Sequence, residues 1–231
     1  METIEIISLM LGTAWASGIN LYAAVLVLGY FNMTGQVALP EELQLLSDPT
    51  VMLAAGLMYF VEFFADKIPG VDTGWDAIHT FIRIPAGALL AGGLANGMDV
   101  STTLEFAAFL VGGGIATTTH ATKMGSRALI NTSPEPFTNW GASIMEDLSV
   151  IGAMWAALNH PILFIVALVV FLIFMAWLLP KLWRALKRIA KAIGRFFSGK
   201  KDQDEHHETP SSNGRANILQ ELYHDKENPK S

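Results

Sequence analysis

The chain of 231 residues contains no cysteine, which excludes disulfides, thiolate metal ligands and cysteine nucleophiles. Charge is also scarce, because Asp, Glu, Lys and Arg together make up 16% of the residues, whereas typical globular domains contain about 25%. The common catalytic motifs Gly-x-Ser-x-Gly and His-Glu-x-x-His and the phosphate-binding loop sequence are missing. These absences predict a protein that is not an enzyme and that uses neither a cofactor nor a metal.

Hydrophobic residues make up 52% of the chain and are unevenly distributed. Residues 1–180 are strongly apolar, whereas residues 181–231 hold most of the Lys and Arg. This division predicts a transmembrane domain over residues 1–180, followed by a polar region. The N-terminal stretch "METIEIISLMLG" has no basic residue before its apolar run, so we expect a retained membrane helix rather than a cleaved signal.

Six apolar segments approach the roughly 20 residues that a spanning helix needs. They are residues 6–31, 50–66, 82–97, 103–122, 141–159 and 161–180. The predicted fold class is therefore all-α, a polytopic membrane helix bundle of about six spans. Residues 1–98 and 99–180 could form two inverted three-helix repeats. The alternative is that the small residues of these segments, such as Gly112, Gly113 and Gly114, serve only helix packing.

The basic residues fall on one side of a six-span arrangement. Residues 32–49, 98–101 and 159–161 contain no Lys or Arg. All Lys and Arg residues lie in or next to the connections on the other side or in the C-terminal region; outside that region they are Lys67, Arg83, Lys123 and Arg127. Because Lys and Arg concentrate in cytoplasmic loops, we expect both termini to be cytoplasmic.

The last span is followed by "KLWRALKRIAKAIGRFF", in which Lys and Arg recur at helical spacing between aliphatic and aromatic residues. Residues 181–198 are predicted to form a basic amphipathic helix, whose residues 181–195 bind anionic lipid at the bilayer surface. The alternative is a simple stop-transfer anchor. Residues 199–231 have the composition of a disordered cytoplasmic tail. Nucleic acid is not an expected partner, because the basic run adjoins a membrane span.

The stretch "FFADKIPGVDTGWDAIHTFIRIPAG" places six ionisable groups between two apolar segments. Thr73 and Asp76 resemble a capping box and predict that a helix begins near Gly74. On that helix Asp76, His79 and Arg83 share one face. The alternative is an ordinary solvated loop. The six groups are Asp66, Lys67, Asp72, Asp76, His79 and Arg83.

Glu62 lies about twelve residues inside the second predicted span. A carboxylate at such a depth is costly and usually faces a partner or a water-filled cavity. Asp66 follows four residues later and shares its helix face. We therefore expect Glu62 and Asp66 to bind protons or cations. Arg83 and Lys67 would be their counter-ions or would contact a phosphate or carboxylate.

A second polar cluster follows the fourth predicted span, where His120, Lys123 and Arg127 lie at positions i, i+3 and i+7. Glu146 and Asp147 enter the fifth span. Because adjacent helical residues point about 100° apart, we expect one to be functional and the other to be a partner or an interfacial residue. The candidate substrate- or ion-binding residues are Asn20, Glu62, Asp66, Lys67, Asp72, Asp76, His79, Arg83, His120, Lys123, Arg127, Glu146 and Asp147.

Three long motifs carry a family resemblance. In order they are "GINLYAAVLVLG", "FFADKIPGVDTGWDAIHTFIRIPAGALLA" and "GGGIATTTHATKMGSRALINTSPEPFTNW". Together they resemble a bacterial membrane family catalogued as domain of unknown function 4126, over about residues 8–180. The resemblance implies a multi-pass protein of unassigned activity in the bacterial inner membrane. It supplies neither a substrate nor functional residues.

These features favour a small secondary transporter or a lipid or anion translocator with intramembrane acidic residues. The basic side chains that flank both predicted cavity entrances favour a small anionic or phosphate-bearing substrate. One alternative is a channel; another is a membrane scaffold that recruits a cytoplasmic partner through the basic helix and tail. A homo-oligomer is compatible with each of these functions.

Overall fold

A computed structural model describes residues 3–68, 70–132 and 136–198. These residues form seven α-helices and one 3-10 helix and contain no strand, which confirms the all-α class. The predicted disordered tail at 199–231 lies outside the described residues. By its contacts the chain divides after Leu186, and the packing and site below belong to the residues before that point. The helices are α1 (Thr3–Ile19), α2 (Leu21–Met33), the 3-10 helix (Glu41–Ser47), α3 (Pro49–Ala65), α4 (Val71–Asn96), α5 (Thr102–Ile130), α6 (Pro136–Asn159) and α7 (Pro161–Ser198).

The first predicted span, residues 6–31, is two helices separated at Asn20. Asn20 is extended, with φ −145° and ψ 98°. Its side-chain Oδ1 accepts a hydrogen bond from the backbone N–H of Ala23 at 3.0 Å. The side chain therefore caps the N-terminus of α2, as asparagine commonly does at this position. The segment predicted as the first span is thus interrupted at Asn20, whose side chain satisfies a donor that the break exposes.

Helix α4 is longer than predicted. The helix expected to begin near Gly74 and the span expected at residues 82–97 are one helix of 26 residues. Pro85 lies inside it. The predicted polar face and the predicted apolar span therefore belong to the same continuous helix.

The capping box predicted at Thr73 and Asp76 is wrong. The N-cap of α4 is Gly70, with a positive φ of 86° that glycine adopts without steric cost. Oδ1 of Asp72 accepts hydrogen bonds from the backbone N–H groups of Gly70 at 2.9 Å and Thr73 at 2.6 Å. The helix begins earlier than predicted because Gly70 permits the turn, and the Asp76 carboxylate is left for another partner.

Small residues allow α1, α4 and α5 to pack closely. A Cβ atom added to Gly18 would lie 2.5 Å from the carbonyl oxygen of Ala116. At Gly87 it would lie 2.6 Å from the Cβ of Ala116, and at Gly112 2.9 Å from the carbonyl oxygen of Gly87. In contrast, a Cβ on Gly114 would meet nothing within 4 Å. Close packing therefore accounts for some of these glycines, as small residues between membrane helices generally do.

The helices bury polar residues and expose apolar ones. In α4, Asp76 and Arg83 are fully buried, whereas Ile78 is 65% and Phe81 84% exposed. A water-soluble amphipathic helix shows the opposite arrangement, so this surface is compatible with contact to lipid. Other exposed large apolar residues on α3, α5, α6 and α7 include Leu57, Phe60, Phe64, Phe106, Leu110, Ile144, Leu148, Trp155, Val166, Val170 and Ile173.

Two described helices are long and apolar enough to cross a membrane: α4, and α7 over Pro161–Arg188. The 3-10 helix and α3, bent by 62° at their junction, add a third if they form one span. Helices α1 and α2 are apolar but shorter. Two to three candidate spans indicate a membrane protein, and the count of six spans stays a prediction.

Candidate functional site: a buried ion cluster

Seven charged side chains meet where α3, α4, α5 and α6 approach one another. Six of them are at most 4% exposed at the side chain, and Glu146 is 17% exposed. Three are cations and four are carboxylates, so the ionised set has one excess negative charge. We call this set the buried ion cluster; its members are Glu62, Asp66, Asp76, Arg83, Lys123, Arg127 and Glu146.

Arg83 of α4 bridges two carboxylates. Its Nη2 donates to Oε1 of Glu62 at 2.7 Å, and its Nη1 donates to Oδ1 of Asp76 at 2.7 Å. Asp76 and Arg83 lie seven residues apart, so the sequence correctly places them on one face of α4. The hydroxyl of Ser17 in α1 donates to the carbonyl oxygen of Arg83 at 2.8 Å. Removing one partner of such a buried ion pair strongly destabilises the fold, because the other charge would remain buried and uncompensated.

Lys123 of α5 lies at the centre of the cluster. Its Nζ has five oxygen atoms within 3.6 Å, and four of them belong to carboxylates. The fifth is a backbone carbonyl that the end of α1 leaves without a helical partner. The five are Asp66 Oδ2 at 2.8 Å, the Ile19 carbonyl at 3.2 Å, Glu62 Oε1 at 3.3 Å, Asp76 Oδ1 at 3.5 Å and Glu146 Oε2 at 3.6 Å.

Arg127 connects α5 to α6. Its Nη2 and Nε donate to the two carboxylate oxygens of Glu146 at 2.6 and 3.2 Å, which is the two-pronged geometry that guanidinium groups favour. Its Nη1 donates to the backbone oxygens of Asp66 and Asn139 and to the Asn139 side chain. Sequence reasoning missed Asn139, although Asn139, Ser143 and Glu146 follow the helical spacing of a polar face.

The break at Asn20 places two helix ends beside opposite charges. Nδ2 of Asn20 donates to Oδ1 of Asp147 at 3.0 Å, close to the N-terminus of α2. The last carbonyl of α1, at Ile19, accepts from Lys123 at 3.2 Å. Because a helix N-terminus is partially positive and a C-terminus partially negative, each end favours the charge that lies near it. Glu146 and Asp147 have different partners, as their angular separation predicts.

His120 lies beside the cluster and contacts Arg83 and Thr80. Its Nδ1 lies 3.5 Å from Nη1 of Arg83. Its Nε2 lies 2.7 Å from the hydroxyl of Thr80. That hydroxyl donates in turn to the carbonyl oxygen of Asp76 at 3.0 Å. A proton arriving at His120 would place a second positive charge beside Arg83.

His79 and Asp72 are buried but have other partners. Nδ1 of His79 donates to the carbonyl of Trp75 at 2.9 Å, and its Nε2 lies 3.0 Å from the hydroxyl of Tyr22 in α2. Both carboxylate oxygens of Asp72 accept from Nδ2 of Asn131, at 2.9 and 3.0 Å. Asp72 therefore fastens the start of α4 to the end of α5, a structural role that its loop position in the sequence did not reveal.

Lys67 lies just beyond α3 and is only partly buried. Its Nζ donates to the carbonyl of Phe63 at 3.0 Å and to the hydroxyl of Ser143 at 3.3 Å. Burial lowers the pKa of the Lys67 ammonium, and the carboxylates of Asp147 and Asp66 oppose this shift. Within the described part of the chain, its hydrogen bonds thus go to neutral groups rather than to the carboxylates predicted as its partners.

Several buried carboxylates keep one oxygen without a hydrogen-bond partner among the described residues. These atoms are Oε2 of Glu62, Oδ1 of Asp66, Oδ2 of Asp76 and Oδ2 of Asp147. A buried polar atom without a partner costs about 1–3 kcal/mol, so such atoms are expected where a proton or ligand binds. Across residues 3–68, 70–132 and 136–198, no group of three or more His, Asp or Glu is arranged to hold a metal ion.

Fold and site together define an all-α protein whose apolar helices surround buried ion pairs, which is compatible with a membrane protein. A family model described as a domain of unknown function (DUF4126) matches residues 7–181, and the chain belongs to this family. The resemblance of the sequence motifs to domain of unknown function 4126 is therefore confirmed. No curated protein and no solved structure is significantly similar to the chain.

Proposed function

We propose that the protein is a small secondary transporter that binds a proton or cation at the buried ion cluster during its cycle. The observation that carries the proposal is the set of unpartnered oxygens on Glu62, Asp66 and Asp76, all buried beneath an apolar surface. Carboxylates inside a membrane domain are costly and are typical of ion pathways and proton relays.

The break between α1 and α2 supports the same function. Transporters commonly build their sites from interrupted helices, whose ends contact substrates and coupling ions. Here the Ile19 carbonyl contacts Lys123 and the Asn20 side chain contacts Asp147. A break at this place contributes one backbone acceptor and one amide donor to the site without adding charge.

The charge balance favours a cation or proton over the anionic substrate that the sequence suggests. Arg83, Lys123 and Arg127 each contact at least one carboxylate within 2.8 Å. With four carboxylates against three cations, an added anion would be repelled and an added proton or cation would balance the set. A small anionic or phosphate-bearing substrate would therefore need contacts outside the cluster.

The proposed topology has six spans and both termini in the cytoplasm, in a bacterial inner membrane. Helices α1 and α2 would together form one interrupted span. The connections from α2 to α3, α4 to α5 and α6 to α7 contain no Lys or Arg, which supports a non-cytoplasmic location for them. Two inverted repeats, residues 1–98 and 99–180, and anionic lipid at residues 181–195 belong to this proposal.

Reconstituted protein on a solid-supported membrane tests the function with a panel of inorganic cations, amines and organic anions. We expect saturable currents with at least one compound, lost in Glu62→Gln. The control Glu41→Gln alters an exposed residue of the 3-10 helix and should keep them. Saturable currents that persist in Glu62→Gln, or no current with any compound, would contradict the proposal.

Two alternatives have distinct outcomes in related measurements. Currents that rise linearly with voltage and do not saturate would indicate a channel. Loss of the cellular function on deletion of residues 199–231, with reconstituted currents absent, would indicate a scaffold.

A further inference from the structure

The Lys123 ammonium is surrounded by more acceptors than it can satisfy. A lysine has three N–H donors, and all three are used on the Ile19 carbonyl, Glu62 and Asp66. The carboxylates of Asp76 and Glu146 also lie within ion-pair distance, at 3.5 and 3.6 Å. We call these five oxygens and the residues that carry them the ammonium cage.

The cage has the construction of a binding site. Its oxygens come from α1, α3, α4 and α6 and from the residue that ends α3, while its occupant enters from α5. Glu62, Asp66 and Asp76 each place one oxygen against Lys123 and keep the other unpartnered. Because both oxygens of a carboxylate share one carbon, the unpartnered atoms border the cage. Further acceptors are thus available to an occupant with a different geometry.

The three cations of the cluster are held differently. Arg83 donates to Glu62 and Asp76 through two separate nitrogens, and Arg127 donates to both carboxylate oxygens of Glu146. Planar guanidinium groups held in this way are fixed in orientation. Lys123 instead presents a compact charge at the end of a flexible four-carbon stem. Of the three, Lys123 therefore has the side chain with the greatest freedom of rotation, and it is the cation that a competing ammonium group would displace.

We propose that the ammonium cage is a binding site for the primary ammonium group of a small amine, which exchanges with the Lys123 ammonium. The position described is the state in which the side chain itself is bound. The inference rests on the proposed function and names the chemical class of its cation. A primary ammonium is favoured over an inorganic cation because the cage already surrounds an alkylammonium, to which its oxygens accept three hydrogen bonds.

The test removes the Lys123 ammonium by mutation and supplies a free alkylammonium from solution. Lys123→Ala removes a side-chain portion that propylammonium matches, so purified Lys123→Ala is unfolded thermally in increasing propylammonium chloride, followed by tryptophan fluorescence. We expect a saturable rise in Tm, half-maximal at a concentration at least tenfold lower than for the unmodified protein, in which Lys123 competes. Choline chloride at equal ionic strength, which offers no N–H donor, should give no saturable rise.

A matched variant separates the cage from general charge loss. Lys67→Ala removes a nearby ammonium whose hydrogen bonds go to Phe63 and Ser143. It should show no propylammonium dependence beyond that of the unmodified protein. Equal effects of propylammonium and choline would overturn the inference and leave the cage as a fixed ion-pair network. Equal increases in Tm with potassium and with propylammonium would also overturn the inference, because the cage would then bind inorganic cations as well as it binds amines.

If Lys123→Ala does not fold, the unmodified protein provides the test. A saturable rise in its Tm with propylammonium, absent with choline and potassium, would support amine binding, and absence of that rise would overturn it. Because binding is measured in detergent without flux, the two proposals can fail separately. Amine binding without transport currents defeats only the proposed function, and currents without amine binding defeat only this inference.

Discussion

The side-chain amide of Asn20 donates a hydrogen bond to Asp147 at 3.0 Å, while its oxygen accepts from the backbone N–H of Ala23. One residue thus ends α1, caps α2 and joins both to a carboxylate on α6. This hydrogen bond connects two residues, Asn20 and Asp147, that are 127 residues apart in the chain. The break between α1 and α2 is therefore both a feature of local structure and a part of the site.

Replacing Asn20 by Ala should be among the more destabilising single changes in α1 and α2. Loss of an N-cap costs about 1 kcal/mol, and the loss of a buried hydrogen-bond partner for Asp147 costs about 1–3 kcal/mol more. Thermal unfolding in detergent should show a lower Tm. Asn159→Ala is the control, because Asn159 is exposed and its side chain donates to the nearby Trp155 carbonyl. An equal loss in both variants would contradict the prediction.

Arg83 and Glu62 should show strong energetic coupling. Arg83→Met leaves Glu62 and Asp76 without their nearest cation, and breaking a buried pair typically costs about 3–5 kcal/mol. Adding Glu62→Gln removes one uncompensated charge, so the double variant should unfold at a higher temperature than Arg83→Met alone. Tm values and the monodisperse fraction of all four proteins form a double-mutant cycle. Additive effects would show that the two residues do not interact.

The sequence predicts the polar helix faces well because helical periodicity alone determines them. Asp76 and Arg83 lie on one face of α4, and Lys123 and Arg127 lie on one face of α5, as their spacing requires. The pairing across helices does not follow from periodicity, since it depends on which faces meet. For this reason the sequence presents Lys123 and Arg127 as contacts for an anionic substrate, whereas the structure pairs them with Asp66 and Glu146.

Helix boundaries were less predictable than helix faces. Helix α4 begins earlier than the Thr73 pattern suggests, because the positive φ of Gly70 permits the turn and Asp72 Oδ1 accepts from the Thr73 N–H. The backbone carbonyl of Ile19 could not be identified as a site atom, since its availability depends on the break at Asn20. Asn139 carried a usable signal, because its spacing to Glu146 is helical. In apolar segments, Asn residues at helical spacing from a charged residue are therefore site candidates in the same way as charged residues.

Gly18 and Gly114 should respond oppositely to alanine. A Cβ at Gly18 would overlap the side chain of Thr119 and approach the carbonyl of Ala116, and overpacking of this kind costs about 1–3 kcal/mol. A Cβ at Gly114 meets no atom within 4 Å, so Gly114→Ala should stabilise its helix by about 0.5–1 kcal/mol. Thermal unfolding distinguishes them; a lower Tm for Gly114→Ala than for Gly18→Ala would refute close packing at α1.

The exposed apolar face of α4 should be covered by lipid. Phe81 is 84% exposed and lies in the apolar stripe, whereas Gly74 is exposed near the start of the helix. Because the chain has no cysteine, Phe81→Cys and Gly74→Cys each provide a single labelling site. In sealed membrane vesicles a charged, impermeant maleimide should label Gly74→Cys from the cytoplasmic side and leave Phe81→Cys largely unlabelled.

A small uncharged maleimide provides the control, because it enters the bilayer and should label Phe81→Cys in the same vesicles. Solubilisation in denaturant should make both positions react alike with the charged reagent. Rapid labelling of Phe81→Cys by the charged reagent in intact vesicles would mean that this face lies in water. The buried polar face of α4 would then be a site within an aqueous domain, and a transport function would lose its main support.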